Sequence, residues 1–139
     1  MLKRSLIAAS SVALTAALIS PVFAAPADFV GTWVNTNSNT RGITRVVVTS
    51  AGSNTLNVQV FGKCSPTDCD WGKTTLLTYG NNVQDTNHRF ATASYDKGFS
   101  KTLVTFSLTG NKQISLQNFT QFTDKSGRQN YASQEILKR

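Results

Sequence analysis

Thr55-Leu56-Asn57-Val58-Gln59-Val60-Phe61 ("TLNVQVF") sets Leu56, Val58 and Val60 against Asn57, Gln59 and Phe61 in strict alternation. Successive side chains of a strand point to opposite faces, so this stretch reads as a β-strand with one face buried. Working outward, Ala51-Gly52-Ser53-Asn54 is a turn, and Gly42 to Ser50 ("GITRVVVTS") is a β-branched run that makes a neighbouring strand. The same reading predicts strands over Phe29 to Asn35, Lys73 to Tyr79, Phe90 to Tyr95, Phe99 to Leu108, Lys112 to Phe122 and Gln129 to Lys138. Asp96-Lys97-Gly98 is a short hairpin connection, and Gly80 to His88 is a polar loop. Within Lys112 to Phe122, Ile114, Leu116 and Phe122 share one parity, with Asn118 and Thr120 between them.

About eight antiparallel strands joined in order by short turns predict an all-β, up-and-down barrel, because closing the sheet removes both unpaired edges. A barrel of this size is either filled by its own side chains or holds one small ligand. The alternative is a β-sandwich, which usually needs a long Greek-key crossover; the only long connections are Asn35 to Arg41, the Gly62 to Gly72 loop and Gly80 to His88.

The start of the chain has a different character. Lys3 and Arg4 precede an apolar stretch from Leu6 to Ile19 and a small-residue end, Val22-Phe23-Ala24-Ala25, the order of a secretory signal peptide. The apolar run is shorter than the roughly 20 residues that span a bilayer, so a cleaved leader is expected rather than an anchor. Cleavage after Ala24 removes 24 of the 139 residues and leaves 115, Ala25 to Arg139, enough for one secreted or periplasmic domain. Without Lys3 and Arg4, twelve basic side chains face seven acidic ones, a net charge of +5. These basic residues form no run interleaved with aromatics, which argues against a nucleic-acid partner. Nothing later is apolar enough for stable membrane insertion.

"DFVGTWVN", Asp28 to Asn35, resembles the calycin group of lipocalins, fatty-acid-binding proteins and avidin-like barrels through Gly31-x-Trp33 on the first strand. The resemblance implies that Trp33 plugs one end of the barrel and that a basic residue from the last part of the chain, Arg128 or Arg139, packs over its ring. Burying an indole removes roughly 200 Å² from water, worth on the order of 5 kcal/mol, and a guanidinium over its face adds about 0.5–2 kcal/mol. The avidin-like pattern is nearest in length, and Asn35 matches the position that contacts the biotin ureido group there. The third strand carries Val58-Gln59-Val60-Phe61 where those barrels have Gly-x-Tyr, and their later tryptophans have no clear counterparts. Together "GTWVNTNSNTRGITR", "GKCSPTDCDWG" and "FTDKSGRQNY" also resemble a family of uncharacterised bacterial secreted domains, which implies one intact domain and no particular activity.

Cys64 and Cys69 are the only cysteines, and in an exported chain they are expected to form a disulfide. Zinc would need further ligands from His88, Asp68 and Asp70, and redox chemistry a tighter spacing at a helix start. Asp68 and Asp70 read as loop residues bonding nearby amides rather than as a calcium site. Asp124-Lys125-Ser126-Gly127 lacks the later ligands of a calcium loop. A serine or cysteine nucleophile needs an oriented base, and the single histidine, His88, three residues after Asp85, does not supply one. No catalytic residue, metal or cofactor is therefore predicted.

The expected function is a secreted, non-catalytic binding barrel for an unidentified small ligand, with Asn35, Phe61, Trp71, Tyr79, Tyr95 and Phe106 lining its mouth. The alternatives are a protein-interaction module and a structural protein of the cell envelope. The interaction module would be, for example, an inhibitor of secreted proteases. It would bind a secreted or surface protein through a rigid Cys64–Cys69 loop tipped by Asp68, Asp70 and Trp71.

Overall fold

The inward stripe of Leu56, Val58 and Val60 is matched by its neighbours, and in the computed structural model these side chains are buried. The structure describes residues 26–139 apart from Asn54 and Asn111; the expected leader, Met1 to Ala24, lies outside the described residues. Eight strands follow one another: β1 (Gly31–Asn35), β2 (Ile43–Ser50), β3 (Leu56–Gly62), β4 (Cys69–Tyr79), β5 (Phe90–Asp96), β6 (Ser100–Leu108), β7 (Gln113–Phe122) and β8 (Tyr131–Lys138). Each pairs antiparallel with the next, and β1 pairs with β8 through Val34↔Lys138 and Asn35↔Leu137, so the sheet is a closed up-and-down barrel. Closure leaves no edge strand to template another chain. Among the described residues, no helix is long and apolar enough to cross a membrane.

Among the strand starts that differ from the sequence reading, two have a clear local reason. The first strand begins at Gly31, because Pro26–Phe29 makes a 3₁₀ turn that folds Phe29 under the barrel. The fourth begins at Cys69, four residues before Lys73, because Gly62↔Cys69 and Phe61↔Asp70 extend the β3–β4 ladder. Between Asp70 and Lys73 the register shifts by a β-bulge: Trp71 and Gly72 together face Val60, with Gly72 at φ 87°. The bulge puts Asp70 and Lys73 opposite the outward residues Phe61 and Gln59, which breaks the two-residue period and hides the strand from pattern reading.

The inside of the barrel is divided lengthwise. At the end where β1 begins and β8 finishes, it is packed with Val46, Val48, Val58, Val104, Phe106, Ile114, Leu116 and Leu137. Trp33 is fully buried there, and its indole nitrogen donates to the Phe29 carbonyl at 2.8 Å. The Arg139 guanidinium covers the Trp33 ring at 4.5 Å and donates to the Asp28 and Val30 carbonyls. We call this the sealed end. The inward positions toward the other end turn polar: Asn35, Ser100, Thr102, Asn118 and Thr120 are buried.

Candidate functional site: the mouth of the barrel

Buried polar side chains must find partners, and those at the mouth find one another. Thr102 and Thr120 share a hydrogen bond at 3.0 Å, Thr120 donates to Asn118 Oδ1 at 3.2 Å, and Asn118 Nδ2 donates to Ser133 Oγ at 3.4 Å. Next to this wall, Asn35 Nδ2 donates to the Ile43 carbonyl at 2.7 Å and to Glu135 Oε2 at 2.9 Å, while Thr40 donates to the same Oε2 at 3.3 Å. Among the described residues, Glu135 is held through Oε2 alone. Its carboxyl group lies against Gly42, where any side chain would run into Oε1. Gly62 leaves room in the same way for the Trp71 indole, whose Nε1 would sit 3.0 Å from an added Cβ.

Trp71 reaches the mouth because the bulge turns its side chain inward. Its ring meets Tyr95 edge-on at 5.8 Å and lines a hollow together with Thr102 and Thr120. The Tyr95 hydroxyl fills the gap that the bulge leaves in the β3–β4 ladder, accepting from the Val60 amide at 3.2 Å and donating to the Gly72 carbonyl at 2.9 Å. Burial pushes the Tyr95 phenol up to about 12. Tyr131 enters from β8 and lies 6.2 Å from Phe122.

A cavity of about 540 Å³ opens among Gly42, Ile43, Gly62, Trp71, Asn118, Tyr131, Ser133 and Glu135, with Arg41 and Lys63 on its rim. A second, of about 370 Å³, shares Trp71 and Tyr131 and runs toward Ser100, Thr102 and Thr120. Trp71 and Tyr131 thus line both hollows. The Trp71 indole N–H, the Tyr131 hydroxyl and Glu135 Oε1 have no hydrogen-bond partner among the described residues. A larger hollow, about 770 Å³, lies along β5–β8 beside the exposed Leu103 and Phe119. It is a shallower, more open trough lined largely by the outward residues Ser94, Asp96, Lys101, Leu103, Phe119 and Gln121, whereas the mouth is more enclosed and is the better candidate.

Of the eight residues expected to bind, Trp71 lines the mouth, while Asn35 stands behind it on Glu135 and Tyr95 behind it on the Trp71 ring. Phe106 does not line an opening: it is 3 % exposed and packed in the core. Phe61 and Tyr79 belong to the outer parity of their strands. Phe61 carries Arg45 over its ring at 3.8 Å, and the Tyr79 hydroxyl bonds Thr92 at 2.8 Å. Asp68 accepts from Thr44 Oγ1 at 2.6 Å. Asp70, on β4, is held below the usual carboxylate range by Gln59 first and by the Gly72 amide second. Trp71 is therefore turned into the barrel, and the loop tip lacks the aromatic anchor expected of it. Cys64 and Cys69 are joined in a disulfide, with Cα atoms 5.4 Å apart. His88 bonds Thr78 Oγ1 at 2.8 Å, away from both aspartates of the loop.

Of the two arginines considered for the plug, Arg139 covers Trp33. Arg128 instead lies over Phe122 at 4.1 Å and pairs with Asp124 at 2.8 Å, tying down the β7–β8 connection. Ser126 and then Arg128 hold the Asp124 carboxyl down at about 2. The site residues that pattern reading missed are Asn118, Thr120, Ser133, Glu135 and Tyr131. A signal for the first two was present, since both sit on the inward parity of Ile114 and Leu116. For Glu135 the signal was the same parity as Leu137 on β8. No family model, no curated protein and no solved structure matches the chain at a significant level, so the mouth must be read from its own chemistry.

Proposed function

We propose that this chain is a secreted or periplasmic, non-catalytic barrel of calycin-like type that binds a small polar ligand at its mouth. The observation that carries the reading is the set of unpartnered polar atoms on Trp71, Tyr131 and Glu135 around an open cavity, at the one end of the barrel that its own apolar side chains do not fill. A pre-formed concave site with a few convergent polar groups is what small-ligand recognition requires. Aromatic walls add contact area with little loss of side-chain freedom. The calycin-like reading rests on Gly31-x-Trp33 with Arg139 over the ring. The export reading rests on the basic and apolar start of the chain together with the Cys64–Cys69 disulfide.

The test is native mass spectrometry of the protein recovered from its own host's secreted or periplasmic fraction. A retained small molecule is expected, lost in Trp71→Ala and Tyr131→Ala but kept in Phe61→Ala and Tyr79→Ala. A molecule retained equally by all four variants would place binding elsewhere and overturn the reading.

A further inference from the structure

The mouth holds opposite charges that do not neutralise each other. Glu135 lies on the inner wall with Oε2 committed to Asn35 and Thr40 and Oε1 open. Arg41 and Lys63 stand on the rim of the same cavity, and neither side chain has an ion-pair or hydrogen-bond partner among the described residues. All three groups are gathered around Gly42. Arg41 precedes it, the Lys63 amide donates to its carbonyl at 2.9 Å, and the Glu135 carboxyl group abuts its Cα. The fold thus brings one acidic and two basic residues to the lining of one small opening, Glu135 half-buried and Arg41 and Lys63 exposed.

We infer that the ligand class is a zwitterion of the α-amino-acid type. Its ammonium group faces Glu135 Oε1, its carboxylate faces Arg41 and Lys63, and its side chain lies between Trp71 and Tyr131. The inference rests on the mouth being a binding site. A simple amine would meet the rim cations, and a simple acid would meet Glu135; each repulsion counts against the wrong ligand as much as the attraction counts for the right one. A neutral sugar would satisfy the hydroxyl wall but leave both charges unanswered. Ammonium against a partly enclosed carboxylate is a charge-assisted hydrogen bond, the stronger kind. An exposed guanidinium or ammonium on the rim gives less.

The experiment is calorimetric titration of the disulfide-intact mature protein with the common L-α-amino acids. The tightest binder is followed by its decarboxylated and deaminated analogues and by D-glucose, with tryptophan emission read in parallel and the Trp71 share taken as the difference from Trp71→Ala, which keeps Trp33. The amino acid is expected to bind at least about tenfold more tightly than either single-charge analogue, with Trp71 emission changing. Glu135→Gln keeps an oxygen for Asn35 and Thr40 and is expected to melt like the parent while losing about tenfold to a hundredfold in affinity. Should that variant fail to fold, the doubly substituted Arg41→Gln, Lys63→Gln protein carries the test, with a loss of several-fold expected. Binding of glucose or of one single-charge analogue alone, with a Trp71 response, overturns the zwitterion and leaves the mouth standing. Absence of binding by every amino acid also overturns it, whereas the mouth itself falls only if the ligand retained from the host is indifferent to Trp71→Ala.

Discussion

Tyr95 shows how much one hydroxyl can organise. The β-bulge at Trp71 and Gly72 separates the Val60 amide from the carbonyl it would have met, and the phenol of Tyr95 supplies both missing partners. Tyr95→Phe keeps the ring against Trp71 but leaves a buried amide and carbonyl unpaired, so a loss of about 1–3 kcal/mol is expected in equilibrium urea unfolding. A pH dependence follows from the same burial. The phenol titrates near 10 when unfolded and at about 12 when folded, so between these values the unfolded chain holds fewer protons and stability falls as pH rises. Below pH 10 this contribution is complete. The stability gap between parent and Tyr95→Phe should therefore be constant up to pH 10 and narrow toward pH 12; a gap unchanged across that range would contradict the assigned cause. None of this was legible in the sequence, where Tyr95 counted as one more aromatic lining residue. Its role depends on a bulge in a strand pair it does not belong to.

At the level of elements, legibility followed regularity. β3 could be read because Leu56, Val58 and Val60 keep strict alternation, and β7 because Ile114 and Leu116 do. β4 could be read only from Lys73 onward. Before that point Cys69, Asp70, Trp71 and Gly72 look like loop chemistry, and the bulge places Asp70 and Lys73 on the same face across a three-residue spacing. The consequence for the site was large, because that shift decides whether Trp71 faces solvent or the barrel. The disulfide sits at the start of this strand and closes only the turn from Cys64 to Cys69. Replacing both cysteines by serine is expected to cost about 2 kcal/mol, the chain-entropy value for so short a loop. The far-ultraviolet circular dichroism of the barrel should be unchanged. A loss of the whole β signal would show that the bridge holds the barrel together rather than its own hairpin.

For the molecule as a whole, the decisive feature is the lengthwise division between a filled sealed end and a polar mouth. Counting strands predicted the closed barrel with a sandwich as the alternative, and the calycin-like resemblance implied that Trp33 plugs one end, but strand counting cannot say where side-chain packing stops. That boundary is set by pairs such as Val104↔Asn118, where the inner wall passes from apolar to polar across two neighbouring strands. Phe106 lies on the apolar side of it. Phe106→Ala is expected to cost about 3–5 kcal/mol in equilibrium unfolding, while the fully folded variant keeps the ligand selectivity of the parent. Altered selectivity with little loss of stability would instead return Phe106 to the binding site. Because the number of antiparallel strands is even, the chain enters β1 and leaves β8 at one and the same pole, where Arg139 grips the carbonyls of Asp28 and Val30. A barrel tethered to a surface through either terminus would therefore hold its opening outward, toward whatever diffuses past.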